Sequence, residues 1–252
     1  MANNISVTIL TKNSAALLAE CLGALEVFTD VVVVDNGSTD DTIAVASRFR
    51  NVRLFEHPFT GFGPMKNIAI DKAANDWIFS VDSDEIVTPE LSAEILSLKL
   101  DSSRIYAVER DNHYRRRLIC GCGWQNDQVQ RLFNRKRTRY DDKLVHEGLK
   151  MDDQLQTELL KGRLNHYPYD NASQLVQKMQ HYSTLWAEEH RGRKKASPFK
   201  ALFYGVLTFF KSYLLKKGWL YGYEGLLISI SNANGVFYKY IKLYESDRSH
   251  SL

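Results

Sequence analysis

Residues 5–10, Ile-Ser-Val-Thr-Ile-Leu, alternate in polarity and are rich in β-branched side chains, a pattern that predicts a strand. Residues 15–27 then carry apolar side chains at helical spacing, and Val31 to Val34 form an unbroken β-branched run. Asp35-Asn-Gly-Ser-Thr-Asp closes that second strand with turn residues, and Asp40 or Asp41 is placed to cap a helix from Thr42 to about Arg50. A third strand is expected at 52–56, a loop with Pro and Gly over 57–64, a helix from about Met65 to Ala74, and a fourth strand at 77–81. Thr88-Pro89-Glu90 opens another helix with proline at its first position. Further strands are expected at 106–110 and 128–134. Strands alternating with helices predict a largely parallel sheet covered on both faces.

In such sheets ligands bind beyond the carboxyl ends of the strands. Three polar segments lie there: Thr11-Lys12-Asn13, Asp35-Asn36-Gly37-Ser38 and Asp82-Ser83-Asp84-Glu85. Two of the three are acidic. Aspartates separated by one small residue at a strand-to-loop turn suit a divalent cation, which in turn neutralises a departing diphosphate. Mg²⁺ or Mn²⁺ is therefore the expected cofactor, held by Asp82 and Asp84.

Charge changes the picture of the second part of the chain. The formal net charge of +3 is unevenly spread: residues 171–252 hold 12 Lys/Arg against 5 Asp/Glu, and the rest hold 21 against 25. A composition shift near residue 165 divides a catalytic domain, 1–165, from a helical, basic extension, 166–252. Within the extension, 171–190 has the spacing of an amphipathic helix, Arg191-Gly-Arg-Lys-Lys195 is a compact basic run, and 199–215 is rich in Phe, Tyr and Leu. The lysine-free apolar run from Ala201 to Phe210 is far shorter than the roughly 20 residues that cross a bilayer. An anionic membrane surface is the expected partner, with packing on the catalytic domain or a homodimer as the alternative, and nucleic acid is not expected. The first residues have no basic segment leading into an apolar stretch, so the chain is expected to stay in the cytoplasm, peripheral on the inner face of the membrane. Cys21, Cys120 and Cys122 are read as reduced thiols, a lone C-x-C falling short of a structural zinc site.

The segments Val33-Val-Asp-Asn-Gly-Ser-Thr-Asp-Asp-Thr42, Gly63-Pro-Met-Lys-Asn-Ile-Ala69 and Val81-Asp-Ser-Asp-Glu85, in this order, resemble the family 2 inverting glycosyltransferases over about residues 5–150. The resemblance implies the GT-A fold, a Rossmann-like mixed α/β sheet flanked by helices, and a nucleotide-diphosphate sugar donor. It implies that Asp35 lies near the uracil and that Lys66 and Asn67 line the nucleotide site. Thr11, Asn13, Asp82 and Ser83 complete the expected donor site, with Asp84 the main metal ligand and Asp82 shared with ribose. Lys66 stands where the family usually has Arg, which implies a single charged phosphate contact in place of a bidentate one.

Gly121-Cys-Gly-Trp124, Gln130-Arg-Leu-Phe-Asn-Arg135 and Lys143-Leu-Val-His-Glu-Gly148 are similar to segments of β-1,4-glucosyltransferases that extend the lipopolysaccharide inner core. That resemblance implies UDP-glucose as donor and a heptose of a lipid-linked, phosphorylated glycan as acceptor; another surface glycan or a peptide is the alternative. A nucleotidyltransferase is disfavoured because Thr11-Lys-Asn-Ser-Ala-Ala16 contains no glycine. A non-catalytic sugar-nucleotide binder would keep the same donor site. Inverting transfer needs a group that takes the acceptor proton. Glu147 is the candidate, and His146 either completes the metal site or is the base instead. Trp124 is expected to stack on an acceptor sugar, and Arg131, with Arg115–Arg117, Arg135, Lys136, Arg137 and Arg139, to meet acceptor phosphates.

Overall fold

The computed structural model describes residues 4–142 and 147–248. They form two units. One contains the chain through Asp111 together with Asn126–His166, and the other contains Asn112–Gln125 and the chain from Tyr167 on.

The first unit is built on a mixed sheet. Its strands are β1 (Ile5–Thr11), β2 (Asp30–Asp35), β3 (Val52–Glu56), β4 (Trp77–Asp82), β5 (Glu85–Val87), β6 (Arg104–Tyr114), β8 (Asp127–Asn134) and β9 (Gln156–Tyr169), with β7 (Arg117–Leu118) belonging to the second unit. They lie in the order β3-β2-β1-β4-β8-β6-β9-β5. β3, β2, β1 and β4 are mutually parallel, whereas β8 runs antiparallel to both β4 and β6, and β5 to β9. Helices α1 (Ala15–Gly23), α2 (Thr42–Ala46), α3 (Phe62–Lys72) and α4 (Pro89–Ser97) flank it. The α/β expectation of a mixed sheet flanked by helices is met.

The four-valine run of β2 explains how one strand serves two cores. Val31 and Val33 join α1 residues Leu18, Cys21 and Leu22, while Val32 and Val34 join α3 residues Met65, Ala69 and Ile70. Side chains alternate across a strand, so a strand covered on both faces must be apolar throughout. Each of these valines is fully buried, worth about 1.5–3 kcal/mol apiece.

Two helices are shorter than their periodicity suggested. α1 stops at Gly23, and Leu25 and Phe28 reach the core through three-residue turns; α2 likewise gives way to turns after Ala46. α3 starts three residues early. Gly61 precedes it at φ 111°, a conformation that suits glycine, and Pro64 sits in the first turn, where no backbone N–H is required. Strand β9 was not anticipated, and it runs through the expected boundary at residue 165. At Gly162 it touches α4 so closely that a Cβ would lie 2.4 Å from the Leu91 Cα.

In the second unit β7 closes a hairpin with the end of β6, pairing Leu118 with His113 and Arg117 with Tyr114. This corrects the linear division of domains: residues 112–125 go with the C-terminal helices. The reason is their core, in which Tyr114, Ile119 and Cys122 pack with Leu175 and Ile228. α5 (Ala172–His190) and α6 (Pro198–Phe210) both pack against the long α7 (Gly222–Arg248). A π-helical turn at 211–215 and a 3₁₀ turn at 218–221 link α6 to α7. Cys120 is exposed, Cys21 and Cys122 are buried, and all three are free thiols.

Candidate active site

The parallel register sets the site. Leu10 pairs with Asp82 and Thr11 with Asp35, so the carboxyl ends of β1, β2 and β4 finish level with one another. Thr11, Asp35 and Asp82 are thereby brought to one edge of the sheet, as the sequence suggested.

Asp35 is fully buried and holds its own loop. Its Oδ2 accepts from the Gly37 and Ser38 amides at 2.9 and 2.8 Å, and its Oδ1 from the Ser38 hydroxyl at 2.5 Å. Asn13 stitches β1 to that loop: its Oδ1 accepts from the Thr39 amide at 2.8 Å, and its amide donates to Ser38 Oγ at 2.8 Å. Ser83 Oγ lies 3.0 Å from Ser14 Oγ. The Thr11 hydroxyl and the Asn36 side-chain oxygen are buried with no hydrogen-bond partner among the described residues. Buried polar atoms without partners are costly and are expected where a ligand supplies the bond.

Lys66 is the hinge of the site. Entering from α3, its ammonium lies 3.2 Å from Asp82 Oδ1 and 3.0 Å from Glu147 Oε1, with the Tyr140 ring 5.0 Å away. Asn67, the next residue, anchors the same segment: its side chain donates to the Tyr140 carbonyl at 3.0 Å and accepts from the Tyr140 amide at 3.2 Å. Burial opposes the charge on Lys66, but Asp82, Tyr140 and Glu147 outweigh it and raise its pKa above the ordinary lysine value. Burial likewise would raise the Asp82 carboxyl. Arg131 and then Lys66 reverse this and hold it well below the usual carboxylate range.

Arg131 sits 4% exposed, and one of its terminal nitrogens meets Asp82 Oδ2 at 2.5 Å and Glu85 Oε1. Glu85 is fully buried, accepts from the Asp82 amide at 3.0 Å and from Arg110 at 3.3 Å, and Arg110 pairs in turn with Asp127 at 2.8 Å. The expectation that Arg131 meets acceptor phosphates is corrected, since its guanidinium is bound beneath Asp82. Its basic neighbours are also engaged. Arg135 and Lys136 pair with Asp76, Arg139 pairs with Asp71, and Arg137 donates to Gln154. In the second unit Arg117 pairs with Glu224 at 2.9 Å, and Arg116 lies over the Tyr167 ring. Trp124 is half-buried, packed against that unit's core and stacked on Tyr169 with ring centroids 5.6 Å apart.

Asp84 is the open carboxylate of the pair, its side chain 40% exposed, with His166 of β9 at 3.4 Å. His166 escaped the sequence reading because it lies on the strand that was not foreseen. His146 lies outside the described residues. Among the described residues no three His, Cys, Asp or Glu side chains form a ready-made cation site. The donor set still suits Mg²⁺, which is usually held by one or two carboxylates and substrate phosphates. Five carboxylates (Asp82, Asp84, Glu85, Asp127, Glu147) against three cations (Lys66, Arg110, Arg131) leave a formal charge of −2 for a divalent ion to neutralise.

Residues 6–148 match the family model "Glycosyl transferase family 2". The chain belongs to that family. As a family 2 glycosyltransferase it is 29% identical over 265 residues to an uncharacterized glycosyltransferase of Rickettsia felis, covering 96% of this chain and 90% of that one. It is 27% identical over 252 residues to the lipopolysaccharide core biosynthesis glycosyltransferase LpsC of Rhizobium meliloti, covering 96% and 92%. In fold the glycosyltransferase is similar to residues 1–349 of Staphylococcus aureus TarS, crystallised with UDP-GlcNAc, at a TM-score of 0.50 and 13% identity over 98% of this chain and 92% of that one. The GT-A fold expected from the sequence is thus shown.

Proposed function

We propose that this glycosyltransferase moves a hexose, glucose from UDP-glucose, with inversion onto a heptose of the lipopolysaccharide inner core. The observation that carries the reading is that the Lys66 ammonium lies within ion-pair distance of both Asp82, at 3.2 Å, and Glu147, at 3.0 Å. LpsC's role in core biosynthesis supports the acceptor class.

In this reading Asp84, with Asp82, would hold Mg²⁺ or Mn²⁺, and the ion would supply charge neutralisation to the leaving diphosphate. Thr11, Asn13, Asp35 and Asn67 shape the nucleotide side. Lysine is a point charge on a flexible stem. A diphosphate draws Lys66 off Glu147, and the released carboxylate accepts the acceptor hydroxyl's proton as that oxygen attacks the anomeric carbon. The C–O bond to the diphosphate breaks on the opposite face, and UDP leaves with the bonding electron pair.

The test is UDP release by the purified chain with UDP-glucose, Mg²⁺ or Mn²⁺ and a heptose-containing core acceptor. Glu147→Gln should lower kcat by about 10²–10⁴-fold, the usual contribution of general base catalysis, with KM for UDP-glucose little changed. Asp84→Ala should remove the metal dependence along with the activity. Absence of acceptor-dependent UDP release, or full activity in Glu147→Gln, would overturn the reading.

A further inference from the structure

Helix α6 is inside out. Its buried positions are the small residues Ala201 and Gly205, continued by Ser212 in the π-helical turn, and these face α7. Its exposed positions are Leu202, Phe203, Val206, Leu207 and Phe210, continued by Leu214, at the 3–4 spacing of a single helical stripe. Phe199 before them is 77% exposed, and beyond them Leu215 is 80% and Trp219 54% exposed. A surface helix of a water-soluble fold shows the opposite arrangement, and a contiguous apolar face of this kind marks a surface that something covers.

Charge indicates what covers it. Residues 190–223 contain eight Lys/Arg and no Asp or Glu, and Lys200, Lys211 and Lys217 are exposed beside the stripe. A second copy of this face would bring the same positive charge against it, whereas anionic headgroups would neutralise it. No helix among the described residues is long and apolar enough to cross a membrane. Between α6 and α7 lies an apolar groove of about 430 Å³, with Gly205, Ile230, Ala233 and Phe237 in its wall. Leu202, Val206 and Phe210 belong to both the groove and the exposed stripe, so the groove is continuous with that face.

We infer that α6 and the turns after it lie in the interface of an anionic bilayer, the stripe among the upper acyl carbons, the lysines at headgroup level, and one lipid chain in the α6–α7 groove. The inference rests on the second unit alone and does not depend on the chemistry of Asp82 or Glu147.

The full chain would be centrifuged with phosphatidylcholine vesicles and with vesicles containing phosphatidylglycerol. Binding is expected only to the anionic vesicles, and to weaken with added salt. Phe203→Glu with Val206→Glu should lower the partition constant at least tenfold, because both side chains are exposed in the free protein and would enter the interface. Replacing Lys200, Lys211 and Lys217 by Gln should lower it roughly hundredfold, at about fivefold per basic residue. Lipids brominated on their acyl chains should quench tryptophan fluorescence in the parent and not in Trp219→Phe. Near-UV circular dichroism confirms that each variant is folded. A folded parent that stays in the supernatant with anionic vesicles overturns the inference. So does a concentration-dependent dimer that is lost in the Phe203/Val206 variant while vesicle binding is unchanged, because the face would then serve a second copy.

Discussion

Replacing Arg131 by Met removes the cation between Asp82 and Glu85 while keeping an apolar stem of similar length. The variant loses two charge-assisted contacts, one to Asp82 Oδ2 at 2.5 Å and one to Glu85, each worth about 1.5–3 kcal/mol. Against this, the Arg131 Nε is buried without a partner among the described residues, and its removal returns about 1–3 kcal/mol. Arg110 still meets Glu85 at 3.3 Å, and Lys66 still meets Asp82, whose side chain is a third exposed, so neither carboxylate is left alone. Taken at their midpoints these terms leave a loss of about 2.5 kcal/mol, below the ~3–5 kcal/mol of an unrelieved buried pair. At about 2–4 °C per kcal/mol for a protein of this size, the melting temperature should fall by roughly 4–12 °C. Thermal unfolding by circular dichroism at low and moderate salt measures it. Pairing the change with Glu85→Leu tests the cause. If the buried carboxylate is what makes the single change costly, the double variant recovers at least about 1 kcal/mol. Arg131→Met melting within 1 °C of the parent, or a double variant whose losses simply add, would refute the account of Arg131 as the tie between Asp82 and Glu85.

Two further outcomes follow from packing and charge. Gly162→Ala drives a Cβ to 2.4 Å from the Leu91 Cα and should cost at least about 1–3 kcal/mol in urea unfolding, whereas Gly23→Ala, with nothing within 4 Å, should be neutral or slightly stabilising. Burial would raise the Asp30 carboxyl, but the Ser6 hydroxyl, the Ala74 amide and Arg53 hold it below the ordinary range. A lowered native pKa stabilises fully above the unfolded value of about 3.9 and fades as pH falls beneath it. Asp30→Asn should therefore be less stable than the parent at pH 7 by about 1.5–3 kcal/mol, with the gap closing below pH 4.

Much of the fold was legible because β1 to β4 carry their instructions locally. A strand buried on both faces must be apolar at every position, and Val31–Val34 can be little else. Helix ends were harder. The apolar period over 15–27 was real, yet Leu25 and Phe28 reach the core through turns, and Pro64 reads as a breaker although the first helical turn tolerates it. The placement of Asp35 and Asp82 at one edge followed from strand ends alone. Contacts between distant positions did not. Nothing near Lys66 signals Glu147, 81 residues on, and Arg131 looked like one exposed charge in a basic cluster, since burial depends on β8 lying between β4 and β6. His166 was missed for the same reason, being set beside Asp84 by the pairing of β5 with β9.

The division of the second unit into residues 112–125 and the chain from 167 on has a consequence for the order of events during synthesis. At roughly 5–20 residues per second, the ribosome takes about 3–12 s to add residues 167–228. Until that interval ends, Ile119 and Cys122 lack Ile228, one of the residues that cover them. The nascent chain therefore carries an unfinished, sticky hairpin inside an otherwise complete sequence for the catalytic sheet. A shortened product ending near residue 166 would keep that defect permanently and should be recovered in the aggregated fraction, even though all of the sheet but the last three residues of β9 is present.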